Sequence, residues 1–94
     1  MKRIAMILAA ALGLAAAGAA QAQEALAKSA GCLNCHAVDT KKVGPAFKDV
    51  AARHKGKADA ESALLAKLSE GKAHPPVKAS AEDTKALVKW ILSL

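Results

Sequence analysis

The sequence predicts an all-α domain of four short helices. Three observations carry this. No run alternates apolar and polar residues at the period of a strand. Apolar residues recur instead at three- and four-residue spacing in short segments. Glycines and prolines at Gly31, Gly44-Pro45, Gly56, Gly71 and Pro75-Pro76 then cut the chain at helix-length intervals. A chain of 94 residues is one domain at most.

The first segment reads as a targeting signal rather than as part of that domain. Lys2 and Arg3 give a basic start, an Ala- and Leu-rich run extends from Ile4 to Ala20, and Ala20-Gln21-Ala22 has the small-x-small pattern of a cleavage site. The run is nearly long enough to span a bilayer, but small residues dilute it. Residues 1–22 are therefore expected to be a cleaved secretory signal peptide, and residues 23–94 the mature domain.

Within the domain, a helix is expected from about Glu24 to Ala30, with Glu24 in its first turn complementing the helix dipole. A loop follows from Ala37 to Gly44. Pro45 can open a second helix over Ala46 to His54, stopped by Gly56. Asp59 is the expected cap of a third, which carries Leu64, Leu65 and Leu68 and stops at Gly71. Pro75 and Pro76 exclude helix from the next loop. Ser80-Ala81-Glu82-Asp83 resembles a capping box, and the last helix runs from there to about Ser93. Its expected buried stripe is Leu87, Ile91 and Leu94, with Trp90 beside them.

Composition sets a further constraint. Loss of Lys2 and Arg3 leaves 12 Lys+Arg against 8 Asp+Glu, a net charge of +4, and the domain has one Phe, one Trp and no Tyr. So small a domain, poor in large side chains, needs something else to fill its centre. The two cysteines suggest what. A disulfide between Cys32 and Cys35 would close a very short loop and stabilise little. A thioredoxin-like redox pair keeps company with a βαβ pattern, which is missing here. The third possibility is haem attachment: Cys32-Leu33-Asn34-Cys35-His36 is the Cys-x-x-Cys-His signature, and on a helical turn its three functional side chains face one side. Each thiol adds across one haem vinyl group, and His36 binds the iron.

From Glu24 to Leu94 the chain resembles the small bacterial class I cytochromes c of the c-551/c-552 kind. The resemblance lies in Gly31-Cys32-Leu33-Asn34-Cys35-His36, in Val43-Gly44-Pro45-Ala46-Phe47-Lys48-Asp49-Val50-Ala51, and in Ala86-Leu87-Val88-Lys89-Trp90-Ile91-Leu92. It implies a class I cytochrome c fold, four short helices around one covalently bound haem c, with the first and last helices crossing. It also implies periplasmic electron transfer, thioethers at Cys32 and Cys35, His36 as proximal ligand, and a hydrogen bond from the His36 ring to the Pro45 carbonyl. Such a bond orients a ligand and raises its basicity. Phe47 and Trp90 are expected near the haem or at the helix crossing, and Gly31 and Ala27 are small enough to let the last helix approach.

The departure is on the opposite side of the iron. The family usually places a Met before Pro-Pro, and this domain has no Met: Met1 and Met6 lie in the signal. The matching stretch is Ala73-His74-Pro75-Pro76, on a loop shorter than the family's and without its Trp. Three outcomes compete. His74 ligates the iron, giving His/His coordination in place of His/Met, with the prolines stiffening its backbone. Or the short loop fails to reach, since three residues span only ~10 Å when extended, and the site stays open. Or His54 ligates, although a cation ending a helix has a simpler explanation.

The lead expectation is a His/His carrier of lower potential than His/Met relatives. The alternatives are an open-site haem protein that binds or senses a small gas, and a dedicated haem subunit of a periplasmic oxidoreductase. No acid–base constellation for catalysis is visible, so no enzyme is expected. Lys41, Lys42, Lys48, Lys72 and Lys78 suit periplasmic redox partners with acidic docking surfaces, or equally a solvated face. Nucleic-acid binding and stable membrane insertion after cleavage are not expected, and the mature protein is expected to be a monomer.

Overall fold

The computed structural model describes Gly18, residues 21–71 and residues 73–94. Most of the segment expected to be a signal peptide, residues 1–22, lies outside this set, as does Lys72. No described helix is long and apolar enough to cross a membrane.

The described residues form helices and loops without a strand. Helix α1 covers residues 21–29, and a single 3-10 turn, Cys32–Asn34, follows it. Then come α2 (Phe47–His54), α3 (Ala60–Glu70) and α4 (Ala81–Leu92). The fold class is the expected one. Helix α1 begins earlier than Glu24, because Gln21 and Ala22 are themselves helical and neither residue breaks a helix.

The helix ends follow from local chemistry, with one correction. Ser80 caps α4 as expected: its hydroxyl accepts from the Asp83 amide at 3.1 Å, and the Thr84 hydroxyl donates to the Ser80 carbonyl at 2.8 Å. Asp59 stands at the cap position of α3, but its side chain makes no capping hydrogen bond. Its backbone (φ −94°, ψ 6°) is not the extended form that aims a cap at the first turn. Gly71 ends α3 in the left-handed region, at φ 68°.

The core is small. Ala27 of α1, Phe47 of α2, and Leu87 and Ile91 of α4 form one buried cluster, flanked by Leu26, Cys32, Leu33, Val38, Val50 and Trp90. Ala27 is fully buried, so its small side chain lets α1 approach α4. The expected role of Gly31 in that approach is not supported. A methyl there would meet only Asn34, at 3.8 Å, so what requires glycine is φ +86°, which starts the 3-10 turn. The stripe of α4 is also corrected. Thr84, Leu87, Val88 and Ile91 are buried, whereas Leu94 lies past the helix end and is exposed. Spacing of three and four residues from Leu87 reaches Val88's face through Thr84, and Leu94 falls off it once the helix stops at Leu92.

Candidate functional site

The turn after Gly31 builds the first half of the site. The Cys35 and His36 amides both donate to the Cys32 carbonyl, at 3.2 and 3.0 Å. This closes a tight turn that leaves Cys32 and Cys35 half-buried and unbridged, with Cys32 packed against the core. Burial pushes the Cys32 thiol up, and a backbone hydrogen bond offsets part of the rise. A redox-active Cys-x-x-Cys needs the opposite, a thiol pulled down to yield thiolate at neutral pH. Net addition of a thiol across a carbon–carbon double bond puts its sulfur on one carbon and a hydrogen on the other.

The following loop is tied back onto this turn. The Gly44 amide donates to the Cys35 carbonyl at 2.7 Å, the Phe47 amide to Ala37 at 2.9 Å, and the Lys48 amide to Val38 at 3.1 Å. Lys42 Nζ reaches across to the Leu33 carbonyl at 3.0 Å. These bonds bring Pro45 under His36, whose Nδ1 lies 2.7 Å from the Pro45 carbonyl oxygen. A prolyl carbonyl can only accept, so Nδ1 carries the hydrogen and Nε2 keeps its lone pair. The Phe47 ring stacks on His36 with centroids 5.1 Å apart and also meets Trp90 edge-on at 5.8 Å. Phe47 therefore serves both the site and the helix junction.

His74 comes from the loop between α3 and α4. It is half-buried, and its ring lies 6.1 Å from that of His36, with the two planes 8° apart. Its Nδ1 is 2.6 Å from the Pro75 carbonyl oxygen. The same tautomer argument applies, so Nε2 is the free nitrogen here too. His54 is not part of this arrangement. It lines a separate cleft with Lys55, Lys57 and Leu94, and its buried Nδ1 has no hydrogen-bond partner.

Sequence reasoning assigned Gly44 no role at the site, and Pro75 only that of stiffening the backbone of His74. A methyl on Gly44 would overlap the His36 ring, 2.7 Å from Nδ1 and 2.9 Å from Nε2, so Gly44 makes room for the imidazole. Pro75 acts through its carbonyl, which residue type does not disclose. The Gly-Pro pair at 44–45 was the available signal for the first.

The donor set fits a covalently attached haem. Cys32 and Cys35 offer two thiols on one turn, and His36 offers an oriented Nε2 beside them. Two imidazoles on one metal have centroids about 6 Å apart, from metal–nitrogen bonds of roughly 2 Å and the half-width of each ring. His36 and His74 are at that spacing. Among the described residues no group of three or more His, Cys, Asp or Glu could hold a metal ion by itself. Haem c supplies a one-electron iron couple.

Comparison with known proteins agrees with this site. The family model for cytochrome c matches residues 15–94. Cytochrome c-552 of Nitrosomonas europaea is 45% identical over 93 residues, covering 90% of this chain and 90% of that protein. Cytochrome c-551 of Pseudomonas aeruginosa is 43% identical over 81 residues, covering 79% of this chain and 78% of that protein. Among solved structures, the class 1 cytochrome MtoD of Sideroxydans lithotrophicus ES-1 superposes with a TM-score of 0.71 at 40% identity, covering 78% of this chain and 92% of MtoD. Wild-type Nitrosomonas europaea cytochrome c552 superposes with a TM-score of 0.68 at 43% identity, covering 76% of this chain and 98% of that one. The chain belongs to the cytochrome c family, as a haem-carrying electron-transfer protein with class I c-551/c-552 relatives and one covalently attached c-type haem.

Proposed function

We propose that this cytochrome is a periplasmic, low-potential electron carrier whose iron is held between His36 and His74. The observation that carries the reading is the pair of near-parallel rings 6.1 Å apart, each with its Nδ1 turned to a prolyl carbonyl. In this reading Cys32 and Cys35 form the thioethers, and Pro45 and Phe47 hold the His36 ring from two sides. A second imidazole in place of Met lowers the potential, within a range of roughly 0.8 V that axial ligands span. Both rings donate through Nδ1–H, which raises ligand basicity and favours the oxidised iron further. With both axial sites taken by the chain, the protein passes electrons and performs no substrate chemistry.

Localisation and partners belong to the same proposal. Residues 1–22 act as the export signal, cleaved after Ala22, and the mature monomer meets acidic redox partners in the periplasm. Lys41, Lys42, Lys48 and Lys78 are exposed, and Lys48 pairs with Asp39 at 2.6 Å. Charge of this sign steers association and makes its rate fall with salt.

The test is the absorption spectrum of the reduced protein with and without CO. A spectrum unchanged on mixing, and a CO complex formed at once by His74→Ala, are the expected results. Prompt CO binding by the unmodified protein would instead favour an open, gas-binding site. Loss of CO resistance in His54→Ala and not in His74→Ala would move the ligand to His54. The N-terminal residue of the exported protein checks the cleavage position.

A further inference from the structure

We propose that Gly71, Ala73 and Pro75 are positioning residues that make the segment between α3 and α4 a self-contained arm aiming His74 at the iron. The inference rests on the His36/His74 reading above and adds how the second imidazole is held.

Four observations within six residues support it. Gly71 leaves α3 in the left-handed region, and a methyl there would lie 3.5 Å from the His74 carbonyl oxygen and 3.6 Å from Pro76 Cδ. The chain therefore doubles back over the helix end. Ala73 has φ 57° and is the one non-glycine residue with positive φ among the described residues. That conformation is disfavoured for any residue with a Cβ, and persists where neighbours over-determine it. The neighbours here are the prolines. His74 precedes Pro75, and Pro75 precedes Pro76, so both are confined to extended backbone. The chain turns before them, and Gly71 and Ala73, both left-handed, stand on either side of that turn. Finally, the Pro75 carbonyl takes the His74 Nδ1 hydrogen at 2.6 Å and fixes which ring nitrogen is offered.

Ala73, Pro75 and Pro76 are exposed, so core packing contributes little to holding this corner. Short-range backbone restriction sets its shape. A long, mobile loop would spend conformational entropy each time it delivered a ligand. A short arm with two prolines has less to lose. It delivers an imidazole where the sequence supplies only a few residues of reach.

The experiment measures CO binding to the reduced holoprotein by stopped flow, with far-UV circular dichroism as a check on folding. The unmodified protein is expected to bind slowly, limited by departure of His74, and His74→Ala to bind fast. Ala73→Val puts a β-branched residue where φ is positive, and CO binding should speed up about tenfold. Ala73→Asn tolerates that φ and should stay within about twofold of the unmodified protein. If Ala73→Val yields no folded holoprotein, Pro75→Gly takes its place. Glycine keeps the carbonyl but releases the backbone restriction at position 75 and on His74 before it, and should likewise speed binding. Equal rates for the unmodified protein and His74→Ala would defeat the His74 reading itself. A slow unmodified protein, a fast His74→Ala, and an Ala73→Val (or its stand-in) as slow as the unmodified protein would overturn the arm alone.

Discussion

Gly44 and Gly31 are both glycines next to the haem-binding turn, and they are there for different reasons. Gly44 is a matter of space. Its missing Cβ is replaced by the His36 ring, whose Nδ1 lies 2.7 Å from where a methyl would sit, well inside ordinary contact of ~3.5–4.0 Å. Gly44→Ala should push the ring off the Pro45 carbonyl and cost about 1–3 kcal/mol. A lowered thermal midpoint, followed at the haem absorption band, checks it. Gly31 is a matter of backbone: φ is +86° and a methyl meets nothing closer than 3.8 Å. Gly31→Ala should cost roughly 1–2 kcal/mol, and Gly31→Asn should recover part of that, because Asn tolerates positive φ. Urea denaturation of the two variants separates strain from crowding. Only the backbone position distinguishes the two cases, so the sequence could not. The reading of Gly31 as a close-approach residue failed for that reason.

At the scale of the elements, helix caps give the sharpest contrast. Ser80 accepts a hydrogen bond from the Asp83 amide, and Asp59 makes none at the equivalent position of α3. Ser80→Ala should therefore cost about 1 kcal/mol, and Asp59→Ala no more than about 0.5 kcal/mol, the scale of an ordinary surface change. Thermal denaturation of the pair decides it. Helix α4 also supplies the largest fully buried side chains, Leu87 and Val88. Leu87 is 2% exposed and Val88 1%. Leu87→Ala should cost about 2–5 kcal/mol, while Leu94→Ala, at a residue 39% exposed, should be close to neutral. Existence and order of α2, α3 and α4 were legible, because Gly and Pro punctuate them. Their ends were legible too, at His54, before Gly71 and within a residue of Ser93; what spacing alone misjudged was the buried stripe of α4, which takes in Thr84 and Val88 and leaves out Leu94.

For the whole molecule, the question is what a core of Ala27, Phe47, Leu87 and Ile91 can hold. Fully burying a large apolar side chain contributes about 1.5–3 kcal/mol, and this domain has few of them to set against about 1–2 kcal/mol of backbone entropy per residue. The haem is then a structural member as well as a cofactor. The double substitution Cys32→Ala, Cys35→Ala removes its attachment and should leave a largely unfolded, protease-sensitive chain. Far-UV circular dichroism of the haem-free variant against the holoprotein checks this, and retention of full helix content in the variant would refute it.

The sequence by itself determined the fold class, the order of the helices and the haem-attachment turn. Each is written in short-range terms: glycine and proline positions, apolar spacing, and Cys32, Cys35 and His36 on one turn. The pairing of His36 with His74, across a separation of 38 positions, was only one of three alternatives at that level. The tertiary structure brings the His74 ring to 6.1 Å from that of His36 and places His54 in a different cleft, and this supports the proposed His36/His74 pair. The physical reason is that reach depends on where α3 ends and how the chain turns after Gly71. That turn passes through a left-handed Ala73, which no pattern of residue types announces.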